Sequence, residues 1–487
     1  MITVKNVLLI DIPTYGVSLP DIHRNLIEKK LIVQTSLWEK RTGHKMIRPG
    51  LTYSRGLLTI AACLERESFS VKYLIYSDPL DRAKIIDFAE HADVIAINAL
   101  TPTIKIAQAI CEEVKIVNPR VITILGGPHI SAMPIQSLEE NSNVDFALIG
   151  EAEERLPKFL GSITKPDEVG GVVYRNSDGS VSVSRANIAP VNIAELPIPA
   201  YHLLSRHLSE YAHNIKAVRG CPYKCNFCFE RLSWHSPALS VHKDTQIIDE
   251  LKLLAKNIGK GALIHFSDAI FNLRWETVTI LIEQIKRLNL DVLFSMDTRV
   301  DFVKSEQIKQ LANTGFVYFR MGFESLQDNV LDISEKSITQ RLQIEASNII
   351  RDVAPQAAIL AYMITGLPGS TRESVANDVY RIRKMVEDGL VDVVSNKVLV
   401  PYPDTPYFEN ANNLGIEIKT KDWSKYDRLS YPVYRLKELS SDEIYFGYLN
   451  QEVALTEAYS DKLKSAIASL ENVKEGLGYI FQNYAQK

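Results

Sequence analysis

Short apolar runs alternate with amphipathic stretches of helical period along most of this chain, in two separate blocks. Such alternation demands parallel strands joined by crossover helices, because a parallel pair needs a long connection that packs back on its sheet. In the first block the predicted strands are 7–10, 71–76, 93–98, 121–125 and 146–149, with helices over 55–67, 81–90, 104–118 and 134–140. This predicts a doubly wound, Rossmann-like α/β sheet, whose ligands lie beyond the carboxyl ends of the strands. The loops at those ends, 98–103, 126–129 and 150–153, carry glycines, threonines and other small residues that let a flat ligand approach the backbone. A long connection from Pro13 to Ser54 interrupts the block. Connections of that length carry function or structure of their own, and its His23, Trp38, Arg41 and His44 suit either a helix covering a site or a surface extension.

Residues 156–212 read as a connector with a small hairpin, 170–175 and 181–184, turning at Asp178-Gly179. The second block has strands at 216–219, 263–267, 292–295, 317–322, 358–365 and 391–400, and helices over 244–257, 275–288, 306–314, 340–352 and 372–388. Six strands and five helices predict a partial (β/α) barrel, with its chemistry at the carboxyl ends of the strands. The expected domains are therefore 1–155, 156–212, 213–410 and a mostly helical 411–487 that closes the barrel mouth.

One loop of the second block carries concentrated chemistry. Directly after its first strand comes Arg219-Gly220-Cys221-Pro222-Tyr223-Lys224-Cys225-Asn226-Phe227-Cys228, a CxxxCxxC pattern. Thiolates are preferred ligands of iron–sulfur clusters, and close spacing lets one loop supply several. Three cysteines leave one iron of a [4Fe–4S] cubane open to a small molecule. The competing reading, a zinc knuckle, has no fourth cysteine nearby, and His213 lies on the wrong side of the strand for tetrahedral zinc. The remaining two of the five cysteines, Cys63 and Cys111, fall in helical patterns and read as small buried hydrophobes. A disulfide framework is not expected, which points to a reducing cytoplasm. The formal net charge of −4 argues against a general nucleic-acid binder, and no apolar run reaches the ~18 residues of a membrane span.

With Phe227 before the last cysteine and a six-strand barrel around it, the motif resembles that of the radical SAM superfamily. The resemblance implies that Cys221, Cys225 and Cys228 hold a [4Fe–4S] cluster whose open iron chelates S-adenosylmethionine (SAM), and that reductive cleavage gives a 5′-deoxyadenosyl radical. Phe266-Ser267-Asp268 stands where the family has glycine–glycine–glutamate, so Asp268 would meet the methionine amino group. Gly322-Phe323-Glu324-Ser325 resembles Gly-x-Glu-Ser, placing Glu324 and Ser325 near the ribose and methionine parts. Gly366 and Pro368 in Gly366-Leu367-Pro368-Gly369 resemble the loop near adenine. Arg299 and Arg320, at strand ends, suit a carboxylate. Pro401-Tyr402-Pro403-Asp404-Thr405-Pro406 matches a segment in which glycine often replaces Asp404.

The first block resembles the cobalamin-binding domain fused ahead of many radical SAM barrels. That likeness rests on Thr101, Thr103, Gly126, Gly127, His129, Gly150 and Glu151, and it implies cobalamin held between the two domains. The cobalt-ligating DxHxxG pattern is missing after the first strand, where 11–16 has no histidine. His23 in Asp21-Ile22-His23 has the Asp-x-His spacing but is displaced. The implied activity is cobalamin-dependent C-methylation of an unactivated carbon in a small biosynthetic intermediate. Radical dehydration, cyclisation or ring rearrangement is the alternative on the same fold. A flavodoxin or ferredoxin would supply electrons. Transfer-RNA methylthiolation would require further amino-terminal cysteines, and no nucleic-acid partner is expected.

Overall fold

The computed structural model describes residues 4–13, 21–45, 51–76, 79–231 and 239–462, and only the backbone of 21–29, 79, 80, 231 and 462. In chain order the elements are β1 (Asn6–Asp11), α1 (Asp21–Thr42), α2 (Arg55–Arg66), β2 (Ser70–Ile75), α3 (Pro79–Ala89), β3 (Val94–Asn98), α4 (Ile104–Val117), β4 (Ile122–Gly126), α5 (Pro128–Ala132), α6 (Pro134–Glu139), β5 (Phe146–Leu148) and α7 (Arg155–Gly161). There follow β6 (Val172–Arg175), β7 (Val181–Val183), β8 (His213–Ile215), β9 (Val218–Arg219), β10 (Ser240–Val241), α8 (Asp244–Ile258), β11 (Ala262–Phe266), α9 (Trp275–Leu288), β12 (Val292–Thr298), α10 (Ser305–Ala312) and β13 (Phe316–Glu324). The chain continues with α11 (Asp328–Ile333), α12 (Gln340–Val353), β14 (Ala358–Thr365), α13 (Arg372–Glu387), β15 (Val393–Val398), α14 (Pro406–Glu409), β16 (Ile416–Ile418), β17 (Tyr434–Leu436) and α15 (Ser441–Lys462). Two compact units result: Met1–Tyr15 with Pro49–His213 and Leu232–Ile258, and Gly16–Arg48 with Asn214–Arg231 and Gly259–Lys487.

The first unit is built on a seven-stranded sheet of order β2-β1-β3-β4-β5-β6-β7. Strands β1 to β5 pair in parallel, and β6 and β7 continue antiparallel from β5. The expected connector hairpin is therefore the edge of this sheet. Its short strands bury Val172 and Val173 against the same core. Cys63 and Cys111 are fully buried hydrophobes, as read. Helix α8 also belongs to this unit. Arg55 of α2 grips Glu250 of α8 through two hydrogen bonds of 3.0 and 2.7 Å, and Tyr201 Oη donates to the same carboxylate at 2.6 Å.

The second unit holds a six-stranded sheet of order β15-β14-β13-β12-β11-β8, parallel from β11 to β15. Its first strand lies upstream of the expected 216–219, at His213–Ile215. Lys216 and Ala217 break the run because the Ala217 and Val218 amides turn to the carboxylate of Asp268 instead of a neighbouring strand. Four phenylalanines, Phe266, Phe271, Phe294 and Phe316, pack with ring centroids 4.5–5.9 Å apart under the strands. The long 13–54 connection contains a helix, α1, and its Trp38 joins Leu293, Tyr318, Leu360 and Val393 in the interior of the sheet. The His23 side chain lies outside the described residues, as does the second of the two expected terminal helices, beyond 462.

Asp404 has φ +67°, in the left-handed region. That explains why glycine suits the position, and aspartate is among the residues that tolerate it. Asp404→Gly is expected to stay within about 1 kcal/mol of the parent in urea unfolding, whereas Asp404→Val loses more.

Candidate functional site

At the carboxyl edge of the first sheet, α2 begins at its N-cap Ser54, whose hydroxyl accepts from Leu57 N at 3.2 Å. Asp11, the last residue of β1, ties that start to two other strands. Its carboxylate accepts from Ser54 N (2.6 Å), Tyr73 Oη (2.9 Å) and Asn98 Nδ2 (3.4 Å). Burial raises the Asp11 pKa against the pull of these three donors.

Beside this knot lies about 730 Å³ of empty space open to solvent, lined by Ser54, Gly56, Asn98, Gly126, Gly127 and Gly150–Glu153 among others. A Cβ added at Gly126 meets nothing within 4 Å, so any side chain there would enter that space. Gly127 has φ +102° and a Cβ on it would come within 2.8 Å of Ala99 O. These residues fit a large flat ligand that approaches the backbone closely. Gly150 N is held by Ser131 Oγ at 2.8 Å. Arg155 fastens the same loop through the carbonyls of Ile149, Glu151 and Gly170.

Thr101, Thr103 and His129 are placed differently from Gly126, Gly127, Gly150 and Glu151: they are buried and do not line the cavity. Thr103 Oγ1 accepts from Leu100 N at 3.1 Å, closing the turn, and His129 Nδ1 is 3.3 Å from Thr101 Oγ1. Burial pulls the His129 imidazole down to about 4. A histidine whose folded pKa lies below the unfolded 6.5 costs nothing above that pH, and destabilises the fold as pH falls from 6.5 towards 4. Wild-type protein is expected to lose up to about 3 kcal/mol more over that window than His129→Gln, measured by urea unfolding at each pH.

In the second unit the three thiols share one loop. Cys225 is buried, Cys221 and Cys228 are half-buried, and Cys228 N donates to Cys225 O at 3.1 Å. Burial raises the Cys221 thiol and pushes Cys228 up to about 12. Among the described residues no three His, Cys, Asp or Glu side chains close on a single metal ion. A cubane asks for something else, since it spreads its thiolates over separate irons, and a metal-bound thiol is deprotonated outright.

The loop's surroundings favour an anionic cluster. Arg299, after β12, points Nη1 at Cys225 Sγ (3.9 Å) and lies 3.6 Å from the Tyr223 ring centroid. Asp301 holds the guanidinium at 3.0 and 3.2 Å, and Lys336 O takes Nη2 at 2.8 Å. Lys336 Nζ donates to Glu324 Oε1 at 2.9 Å, both side chains being buried. Burial alone would lower Lys336, but Glu324 and Cys225 hold it above its ordinary value. Gly322 makes the pair possible, because a Cβ there would meet Glu324 Oε1 at 2.5 Å and Lys336 Nζ at 2.7 Å. Glu324, Glu335 and Ser337 all have positive φ, so backbone strain is concentrated at this ion pair. Asn226 Nδ2 anchors the loop to Ile333 O at 3.0 Å.

The other predicted residues have partners within the protein. Asp268 accepts from Ala217 N at 3.1 Å and from Val218 N, bracing the base of the cysteine loop, and burial raises its pKa to about 6. Ser325 Oγ donates to Asp378 at 2.7 Å. Gly366 and Pro368 are buried, and Tyr434 Oη donates to Gly366 O at 2.6 Å. Arg320 Nε is 2.7 Å from Tyr362 Oη and 3.0 Å from Asp297 Oδ1, inside the sheet rather than at a strand end. Asp11, Arg155, Asn226, Asp301 and Lys336 were not singled out from the sequence. Only Ser54, directly before a helical pattern, carried a readable capping signal.

Comparison with known proteins bears on both sites. Residues 48–160 match the B12 binding domain and residues 215–379 the radical SAM superfamily. An uncharacterized methyltransferase of Pyrococcus horikoshii is 28% identical over 404 residues, covering 80% of this chain and 84% of that protein. An anaerobic magnesium-protoporphyrin IX monomethyl ester cyclase of Cereibacter sphaeroides is 27% identical over 74% of this chain, which spans only 59% of the cyclase. The solved structure of the radical SAM methyltransferase TsrM from Kitasatospora setae, with cobalamin and a [4Fe–4S] cluster bound, matches with a TM-score of 0.67 at 16% identity over 93% of this chain and 91% of that one. This chain is thus a radical SAM enzyme with a B12-binding domain ahead of its radical SAM domain, a family that works with a [4Fe–4S] cluster, SAM and cobalamin.

Proposed function

We propose that this enzyme transfers a methyl group to an unactivated carbon of a small biosynthetic intermediate in a cobalamin-dependent radical SAM reaction. The observation that carries the reading is one chain having both a glycine-lined cavity at the edge of its first sheet and a three-thiol loop flanked by buried cations. When bound, the cluster and cobalamin supply the electron that cleaves SAM and a carrier for the methyl group. Cys221, Cys225 and Cys228 hold the cluster. Arg299 and Lys336 offset its negative charge, and Asp268 fixes the start of the loop through two backbone amides. Glu324 offers SAM its second carboxylate oxygen while Lys336 holds the first. Gly126, Gly127 and Gly150 let cobalamin meet the backbone. An external one-electron donor such as a flavodoxin or ferredoxin completes the set.

Protein reconstituted without oxygen in the presence of hydroxocobalamin, then given SAM and a reductant, tests this. Retained cobalt with both S-adenosylhomocysteine and 5′-deoxyadenosine supports methyl transfer, because donating the methyl group leaves S-adenosylhomocysteine. 5′-Deoxyadenosine alone would overturn it in favour of radical cyclisation, dehydration or rearrangement. The cyclase relative is what favours that second reading.

A further inference from the structure

The interior wall of the second unit is polar where a barrel is ordinarily filled with branched apolar side chains. Residues two apart share a face of a strand. One step beyond Leu263, Leu293, Tyr318, Leu360 and Val393, which belong to or pack on the interior core, come His265, Ser295, Arg320, Tyr362 and Ser395. Asp297 joins three strands there: its carboxylate accepts from His265 Nε2 (3.1 Å), Tyr362 Oη (3.2 Å) and Arg320 Nε (3.0 Å). These groups satisfy one another. The next inward residue of β15, Lys397, does not share in this: its ammonium forms no hydrogen bond or ion pair with the described residues.

Lys397 and Ser395 line an opening with about 640 Å³ of empty space, with Trp38, Tyr318, Leu360 and Tyr448 as its larger walls. The Trp38 indole N–H is buried without an acceptor among the described residues. Burial pulls the Lys397 ammonium down to about 8, with Lys30 and Arg428 pushing the same way against Glu452 and Asp427. Lys30 is already committed to Glu452, and Arg320 to Asp297. The charged groups acting on Lys397 are thus two cations and two carboxylates, which leaves its own charge unbalanced. A half-buried ammonium with no partner gains from a counter-ion that enters the cavity.

We propose that this cavity receives the anionic end of the methyl acceptor, a carboxylate or phosphate on a largely apolar body, with Lys397 as its counter-ion. The assignment rests on the methyl-transfer reading for the word acceptor, but the site is read from these residues alone.

The test is calorimetric titration of the reconstituted enzyme with 1-naphthoate, 1-naphthyl phosphate and the neutral 1-naphthalenemethanol. At least one anion should bind ten-fold or more tightly than the alcohol, and which one wins identifies the acidic group. Lys397→Met should abolish that preference while still binding the alcohol, and Lys397→Arg should keep it. Equal affinity of all three probes for the wild-type enzyme, or an undiminished preference in Lys397→Met, overturns the proposal. SAM cleavage by the same wild-type sample reports separately. Cleavage without anion preference sinks only this inference, and anion preference without cleavage sinks only the reading of function.

Discussion

Protein in which Cys221, Cys225 and Cys228 are all alanine is expected to leave anaerobic reconstitution without bound iron and to form no 5′-deoxyadenosine from SAM. The parent should carry about four irons per chain. Single substitutions should come close to the same result, because each thiolate serves its own iron and the chain has no fourth cysteine near the loop. Cobalt retention by the triple variant is the internal control, since the glycine-lined cavity belongs to the other unit. Persisting SAM cleavage in the triple variant would defeat the assignment of the loop.

Lys336→Met is expected to be the most damaging substitution that leaves every thiol in place. It removes the partner of Glu324 and strands a buried carboxylate, a change that costs about 3–5 kcal/mol. Thermal unfolding of the reconstituted protein reads that loss. Adding Glu324→Gln to Lys336→Met should recover part of the stability, because the stranded charge is gone, while SAM cleavage stays impaired. A Lys336→Met protein as stable as the parent would show that the pair contributes nothing. The same variant should shift the cluster's reduction potential to more negative values, since a buried cation that interacts with Cys225 is lost. Redox titration followed by electron paramagnetic resonance checks this without relying on turnover.

The parallel strands β1 to β5 and β11 to β15 and the thiol loop were readable from residue patterns because each depends on local periodicity or spacing. By contrast, β6 and β7 were read as a connector and β8 was expected at 216–219. Helix α1 was not readable as a barrel element. Its inward positions include Lys30 and Gln34, polar residues that blur an apolar stripe and make sense only through Glu452, Tyr459 and the Val394 carbonyl. Arg299 was recognised as a strand-end cation, yet its neighbours are Cys225 and Tyr223, which no spacing rule brings to it. The resemblance to cobalamin-binding domains suggested a ligand role for Thr101, Thr103 and His129, but Thr103 closes the turn at Leu100 and all three are buried. Asp268 has the chemistry of an acceptor; that two backbone amides would claim it depended on the break after β8.

The pairing of α1 with α15 places a constraint on how the chain can be made. Lys30 and Glu452 are 422 positions apart, and contacts of such separation slow folding. During synthesis at about 5–20 residues per second, the first helix is complete roughly 20–80 s before its partner has emerged. For most of that interval Trp38 lacks the full set of strands that later bury it. The second unit therefore cannot finish before α15 has emerged, and until then the nascent segment carrying α1 is a natural client for a chaperone.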